Sequence, residues 1–246
     1  MRAGLGGTRE FIAETGSTNA DLLARIAAGE EVPEGFWLIA DRQTAGRGRQ
    51  GRPWLDAPGN FMGSTVVALA ADDPPAPTLS FVAALAVYAA VSGHLAMPAS
   101  LQLKWPNDLL LAGDKFCGIL LERDGARAVI GIGVNLAAAP KVSGRKTLAL
   151  GQRGLAPDRD LFADELARRF AIELDRWRQH GTGPMFSRWQ AAAHPIGTRL
   201  SVHDASGVRV TGGYDGLAPD GALRLVLDDG STRLVHAGDV SFEGSE

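Results

Sequence analysis

The chain changes character at His194-Pro195. Before that point it carries segments long enough for substantial helices. After it, Thr198–His203, Val208–Tyr214, Ala222–Leu227 and Arg233–His236 read as short strands. They are separated by the turn chemistry of 204–207, 219–221 and 228–230. Strand signals at this spacing predict a small β-barrel of roughly 50 residues. The expected division is therefore a larger unit over 1–193 and a barrel over 194–246.

In the larger part, Thr15-Gly-Ser-Thr-Asn-Ala-Asp opens a helix, with Ser17 or Thr18 as its cap and Asp21 in its first turn. Phe36–Ala40 and Phe61–Ala70 read as strands, and the Gly-, Arg- and Pro-rich stretch 41–60 between them as a long loop. Thr78–Leu95 reads as a buried helix and Leu101–Trp105 as a strand stopped by Pro106. Leu109–Glu122 reads as a hairpin turning at Gly113-Asp114. Ala128–Val134 is apolar on both faces and so is expected at the centre of a sheet. A helix capped by Asp158 runs to Arg178, and another covers Pro184–Ala192. Strands and helices mix without strict βαβ alternation, which predicts an α+β fold rather than a doubly wound sheet.

Several function classes drop out. At 246 residues the chain can bury a core without disulfides or metal. The net charge of −3 is not that of a general nucleic-acid binder. A single cysteine, Cys117, excludes an internal disulfide framework and a cysteine zinc site. The first residues lack a signal-peptide core, and the run Leu79–Val91 is too short to span a bilayer. The expectation is a soluble cytoplasmic protein, with no membrane and no DNA partner.

The chemistry is concentrated in four places. Gly46-Arg-Gly-Arg-Gln-Gly-Arg-Pro-Trp54 alternates glycine with arginine and closes on an aromatic. Glycine lets backbone N–H groups approach a ligand, arginine grips carboxylate or phosphate, and tryptophan offers a flat face. The alternative is a loose Arg-Gly segment gripping RNA. Lys104-Trp-Pro-Asn-Asp108 ends a strand, where Asn107 and Asp108 either meet a ligand or start a hairpin as an Asx turn. Lys115-Phe-Cys-Gly-Ile-Leu120 sets one of only four lysines in an arginine-rich chain at the start of an apolar strand. There Lys115 either serves a site or snorkels to solvent. Gly131-Ile-Gly-Val-Asn135 ends a strand in an amide that reads a base edge or caps a loop.

In this order the four motifs resemble the biotin–protein ligases. The resemblance implies an α+β catalytic domain with a mixed sheet flanked by helices, similar to class II aminoacyl-tRNA synthetases, followed by a small SH3-like barrel. It implies that biotin and ATP, with Mg²⁺, form biotinyl-5′-adenylate and pyrophosphate. Biotin then passes to one lysine of a biotin carboxyl carrier protein, an acetyl-CoA carboxylase subunit or a similar carboxylase. Carried over residue by residue, Ser17, Thr18, Asn19, Gln43 and Gly118 line the biotin site. Gly46, Arg47, Gly48 and Arg49 form the loop that orders over ligand, with Arg52 and Trp54 on its phosphate and adenine side. Asn107 and Asp108 belong to the nucleotide and magnesium region, and Asn135 reads adenine. Lys115 is the essential lysine, with Arg49 as its catalytic companion. No metal-ligand cluster is expected; Asp108 is the candidate for Mg²⁺ brought by ATP.

Gln50 departs from the family pattern, where many relatives have arginine. The motifs start close to Met1, so the DNA-binding repressor domain of some relatives is expected to be absent. Monomer and homodimer both remain open. The rival within the fold is a lipoate or octanoate ligase or transferase. The rival outside it is a non-catalytic RNA-binding module, disfavoured by the aspartates of the terminal part.

Overall fold

The computed structural model describes residues 7–93, 95, 100–142, 146–154, 157–204 and 208–242. The alternation Ile130-Gly-Ile-Gly-Val134 organises it. In a strand, successive residues face opposite sides of the sheet. Here one side receives Ile130, Ile132 and Val134, all in the main core, and the other receives Gly131 and Gly133. This strand, β7 (Arg127–Val134), is central as expected. It is not apolar on both faces: beyond Val129, glycine leaves the second face open.

Around it lie β1 (Arg9–Thr15), β2 (Trp37–Gln43), β3 (Phe61–Ala68), β4 (Leu101–Lys104), β5 (Asp108–Leu111) and β6 (Asp114–Asp124). The sheet order is β1-β2-β3-β7-β6-β5-β4. β1 and β2 are parallel and the other neighbours antiparallel, so the sheet is mixed. β1 was not legible as a strand. Its Arg-Glu-Phe-Ile-Ala-Glu-Thr run is half-exposed at a sheet edge and carries no long apolar stretch. β2 runs to Gln43, into the stretch expected to be loop, because its last residues continue the ladder with Glu14 and Thr15 of β1.

On the packed face lie α2 (Leu79–Ser92), α3 (Arg159–His180) and α4 (Thr182–Ala191). α2 is apolar almost all round because the sheet covers one side of it and α3 the other. Trp37 meets Phe170 edge-on at 5.7 Å, and Phe61 meets Phe162 at 5.4 Å. Asp158 caps α3 by accepting the Asp160 and Leu161 N–H groups. The buried Glu173 ties α3 to α4 through a paired contact with Arg188. On the opposite face α1 (Thr18–Ala27) covers only part of the sheet, burying Leu22 against Leu38, Val66 and Val129.

The last part is the antiparallel sheet β11-β10-β9-β8-β12, formed by β8 (Arg199–Asp204), β9 (Arg209–Leu217), β10 (Leu223–Val226), β11 (Thr232–Val235) and β12 (Gly238–Phe242). β12 was not anticipated. The part expected as a small β-barrel is this five-stranded sheet, whose edges, β11 and β12, share no ladder among the described residues. β11 is only four residues long and its ladder is spent on β10. The turn expected over 204–207 lies, from Ala205 to Gly207, outside the described residues. The apolar core continues from α2 through α4 into this sheet. Phe81 meets Phe186 and Trp189 at 5.1 and 5.4 Å, and Trp105 Nε1 donates to the Gly221 carbonyl at 3.0 Å.

Candidate active site

The open face of the central strands forms the floor of a cavity. Gly133 pairs with Gly118 of β6 and Met62 of β3, and Gly131 pairs with Leu120 and Ser64. Gly63, Ser64, Gly131 and Gly133 line the cavity; Gly63 and Ser64 were not singled out from the sequence, and Gly131 and Gly133 only as part of the motif that ends in Asn135. The alternation of isoleucine and glycine in β7 was the available signal.

Lys115 reaches this face through a bulge. β5 pairs Leu109 with Cys117 but Leu110 with Lys115, so Phe116 is an extra residue in β6. Strict alternation from Cys117, which faces the core, would send Phe116 to the cavity and Lys115 to the core. The bulge buries Phe116 completely and turns Lys115 to the glycine side. The hairpin turn lies at Ala112-Gly113, both with positive φ, rather than at Gly113-Asp114. Lys115 Nζ donates to Asp108 Oδ1 at 2.5 Å and lies 5.8 Å from the centre of the Trp54 ring. Both partners of the ion pair are mostly buried, which disposes of the snorkelling reading. Cys117 beside them is no nucleophile, because burial pushes its thiol well above the usual range.

α1 and β2 supply the polar wall. Ser17 occupies the N-cap position, yet neither it nor Thr18 caps the helix with its side chain. Gln43 does so from β2, its Oε1 accepting the Thr18 N–H at 2.9 Å and hydroxyl at 3.1 Å. Thr18 Oγ1 also meets Ser64 Oγ at 2.6 Å. Asn19 Nδ2 donates to Glu122 Oε2 at 2.9 Å and to the Leu120 carbonyl at 3.5 Å. Those two acceptors fix the amide, so Oδ1 lies over Gly131, buried and without a partner.

The glycine–arginine loop closes the cavity from above. Trp54 N–H donates to the Gly46 carbonyl at 2.8 Å, and a Cβ on Gly46 would sit 2.7 Å from the Trp54 carbonyl. Gly46 thus lets the two arms of the loop meet and does not line the cavity. Gly48 does line it. The Trp54 indole lies on the glycine floor, where a Cβ on Gly133 would be 2.3 Å from Trp54 Cε2 and one on Gly118 2.9 Å from Cζ3. About 110 Å³ of room is left. Cavities that hold small organic ligands run to about 300 Å³ and more, so the indole has to lift for one to enter.

Each loop arginine is parked on a protein acceptor. Arg47 pairs with Glu122 at 3.6 Å. Arg49 donates to Asn107 Oδ1 and the Gly238 carbonyl, both at 3.3 Å, and burial lowers its pKa despite the charge of Asp108. Arg52 pairs with Asp239 of β12 and with Gln50 Oε1. Gln50, in the left-handed region at φ 57°, thus removes one positive charge from the loop and adds an acceptor to it. Asp239 was invisible to motif reading because it arrives from the terminal sheet.

The two amides expected to read nucleotide are largely used internally. Asn107 Nδ2 donates to the Ile119 carbonyl at 2.6 Å, and its Oδ1 receives Arg49. Asn135 Nδ2 donates to the Leu148 carbonyl at 3.2 Å, and its Oδ1 accepts from Asn60 at 3.4 Å. Among the described residues no group of three or more His, Cys, Asp or Glu could hold a metal, and no helix is long and apolar enough to cross a membrane.

Residues 14–135 match the biotin/lipoate A/B protein ligase family, and residues 205–243 match the biotin protein ligase C terminal domain. A biotin–[acetyl-CoA-carboxylase] ligase of Paracoccus denitrificans is 36% identical over 95% of this chain and 100% of its own length. One of Mycobacterium tuberculosis is 39% identical over 94% of this chain and 87% of its own. The biotin protein ligase of Aquifex aeolicus, solved with biotin and ATP, superposes with a TM-score of 0.82 at 24% identity, covering 95% of this chain and 97% of that one. The chain belongs to the biotin/lipoate A/B protein ligase family, on its biotin–protein ligase side.

Proposed function

We propose that the chain activates biotin with ATP to biotinyl-5′-adenylate, releases pyrophosphate, and transfers biotin to a lysine of a biotin carboxyl carrier protein. The observation that carries the choice of biotin is Asn19 Oδ1, a buried acceptor with no partner at the glycine floor. An unmet buried acceptor is costly, and a ligand N–H removes the cost. The ureido ring of biotin brings such a group; the dithiolane of lipoate and the alkyl chain of octanoate bring none.

The reaction needs two anions brought together and charge stabilised as it grows at phosphorus. Lys115 offers a compact cation beside Asp108, and Arg47, Arg49 and Arg52 exchange their parked acceptors for carboxylate and phosphate oxygens. No protein nucleophile is required, because the biotin carboxylate attacks the α-phosphorus. Closure of the loop keeps water from the mixed anhydride. Mg²⁺ needs only one or two protein carboxylates beside the phosphates it arrives with, and Asp108 supplies one. In this reading the catalytic unit spans 1–193 and the terminal unit 194–246.

Pyrophosphate exchange into ATP tests the proposal. Exchange dependent on biotin supports it, and exchange driven by lipoate or octanoate but not by biotin refutes it. RNA binding with no exchange would return the non-catalytic alternative.

A further inference from the structure

Behind the wall that Arg49, Asn107 and Ile119 give to the first cavity lies a second, of about 400 Å³. The same three residues line both. Pro77, Phe81, Trp105 and Pro106 supply apolar lining from the larger part of the chain. The terminal sheet supplies Asp220, Gly221 and His236. Asp220 Oδ1 accepts the Ala222 N–H at 3.0 Å, and Oδ2 lies 3.3 Å from His236 Nδ1. Both side chains are more than half exposed, so this carboxylate stands where the cavity meets solvent.

We infer that the second cavity receives the acceptor lysine of the carrier protein. The inference rests on the biotin–protein ligase reading and adds to it the route by which the second substrate enters. A lysine side chain is four methylenes ending in an ammonium, and it meets here an apolar passage with a carboxylate at its mouth. The passage ends on the wall of the cavity in which the adenylate is made. A nucleotide or pyrophosphate fits worse. Asp220 repels anions, and the apolar lining of Pro77, Phe81, Trp105 and Pro106 offers phosphate oxygens no free donor, the Trp105 indole N–H being held by the Gly221 carbonyl.

The step balances without a further reagent. The lysine arrives as an ammonium and loses one proton to solvent at the mouth. Its nitrogen attacks the acyl carbon of biotinyl-adenylate and a C–N bond forms. The bond from that carbon to the phosphate oxygen breaks, AMP leaves with the electron pair, and the second nitrogen proton is released to solvent. Arg49 stands between the two cavities, so the loop that seals the adenylate also governs its exposure to the amine.

The test separates the two half-reactions in the full chain. Adenylation is read as biotin-dependent pyrophosphate exchange. Transfer is read in a single turnover from preformed biotinyl-adenylate to an apo carrier domain that the unaltered enzyme accepts. Asp220→Asn should leave exchange unchanged and slow transfer about fivefold at low carrier concentration, the size of effect a partly exposed charge supports. Asp220→Glu should restore transfer. Ser80→Tyr, which narrows the cavity from α2, should show the same split. Transfer at the normal rate in Asp220→Asn overturns the inference. So does a parallel loss of exchange and transfer, which would make the cavity a nucleotide site. Absence of exchange in the unaltered chain would instead overturn the proposed function, and the route with it.

Discussion

The two faces of the seven-stranded sheet are built from the same strands and do opposite work. At β7 the even-numbered residues, Ile130, Ile132 and Val134, are sealed under α2 and α3 with Trp37, Phe61 and Phe170. Their odd-numbered neighbours Gly131 and Gly133 carry no side chain, and the loop above Gly133 supplies one in the form of Trp54. On the packed face Trp37, Phe61, Phe162 and Phe170 hold one another edge-on. On the open face a buried acceptor, Asn19 Oδ1, has no partner. Stability and ligand binding are thus divided by residue parity along single strands. Substitutions one position apart should therefore act on different properties.

The largest effect should come from the packed face. Phe170→Ala removes a buried ring wedged against Trp37 and should cost about 3–5 kcal/mol of folding stability, read from denaturant midpoints. Gly133→Val puts a branched side chain where the Trp54 indole lies, in a strand that tolerates valine. It should abolish biotin binding while changing stability by less than about 1 kcal/mol. A comparable loss of stability in both variants would break the division.

Lys115 tests the open face from its chemical side. Lys115→Ala should slow adenylate formation by roughly 10²–10³, or about 3–4 kcal/mol in the transition state, with a smaller loss of biotin affinity. Lys115→Arg should not rescue it, because a wide planar guanidinium cannot take the place of a compact ammonium held 2.5 Å from Asp108. Near-normal single-turnover adenylation by Lys115→Ala would make the lysine structural.

Much of this was readable beforehand, and the parts that were not share a cause. The four motifs contain Arg47, Arg49, Arg52, Trp54, Asn107, Asp108 and Lys115, all of which line the cavity, but not Leu55 just past the loop motif. Local chemistry is what a motif records. The apolar α2 and the Asp158 cap were legible because helix period and capping are also local. The bulge at Phe116 was not, since strict alternation assigns Lys115 to the wrong face. Nor was the capping of α1 by Gln43, where a residue distant in sequence displaced Ser17. Asp239, paired with Arg52, was missed for the same reason.

His194 sharpens the comparison at the junction with the terminal sheet. Like Asn19 Oδ1, both its ring nitrogens are buried without partners, but they are packed edge-on against Tyr214 and Phe242 rather than facing a cavity. Burial, helped by the charge of Lys104, pushes its pKa down to about 4. The unfolded ring takes up a proton near pH 6.5, and the folded one refuses it until about 4. The unfolded state therefore binds more protons in that window. Stability should be full above pH 6.5 and fall as pH drops toward 4, by up to about 3 kcal/mol. Denaturant midpoints at pH 7 and 4.5 measure it, and His194→Phe should remove most of the slope. An equal slope in both proteins would show that the orphaned ring costs nothing.

The smallest effect contrasts two helix starts. Asp158 spends its carboxylate on the Asp160 and Leu161 N–H groups of α3, so Asp158→Ala should cost about 1 kcal/mol of stability and leave biotin affinity unchanged. Ser17 stands at the same position of α1 but makes no capping bond; Gln43 meets the Thr18 N–H instead. Its hydroxyl lines the cavity, buried beside the glycine floor. Ser17→Ala should therefore be nearly neutral for stability, within about 0.5 kcal/mol, and should weaken biotin binding by the worth of one hydrogen bond, about tenfold at most. Calorimetric titration of biotin and thermal unfolding of the two variants settle the point together. If Ser17→Ala lost stability and kept affinity, Ser17 would be an ordinary cap. The polar end of α1 would then belong with the packed face and not with the open one.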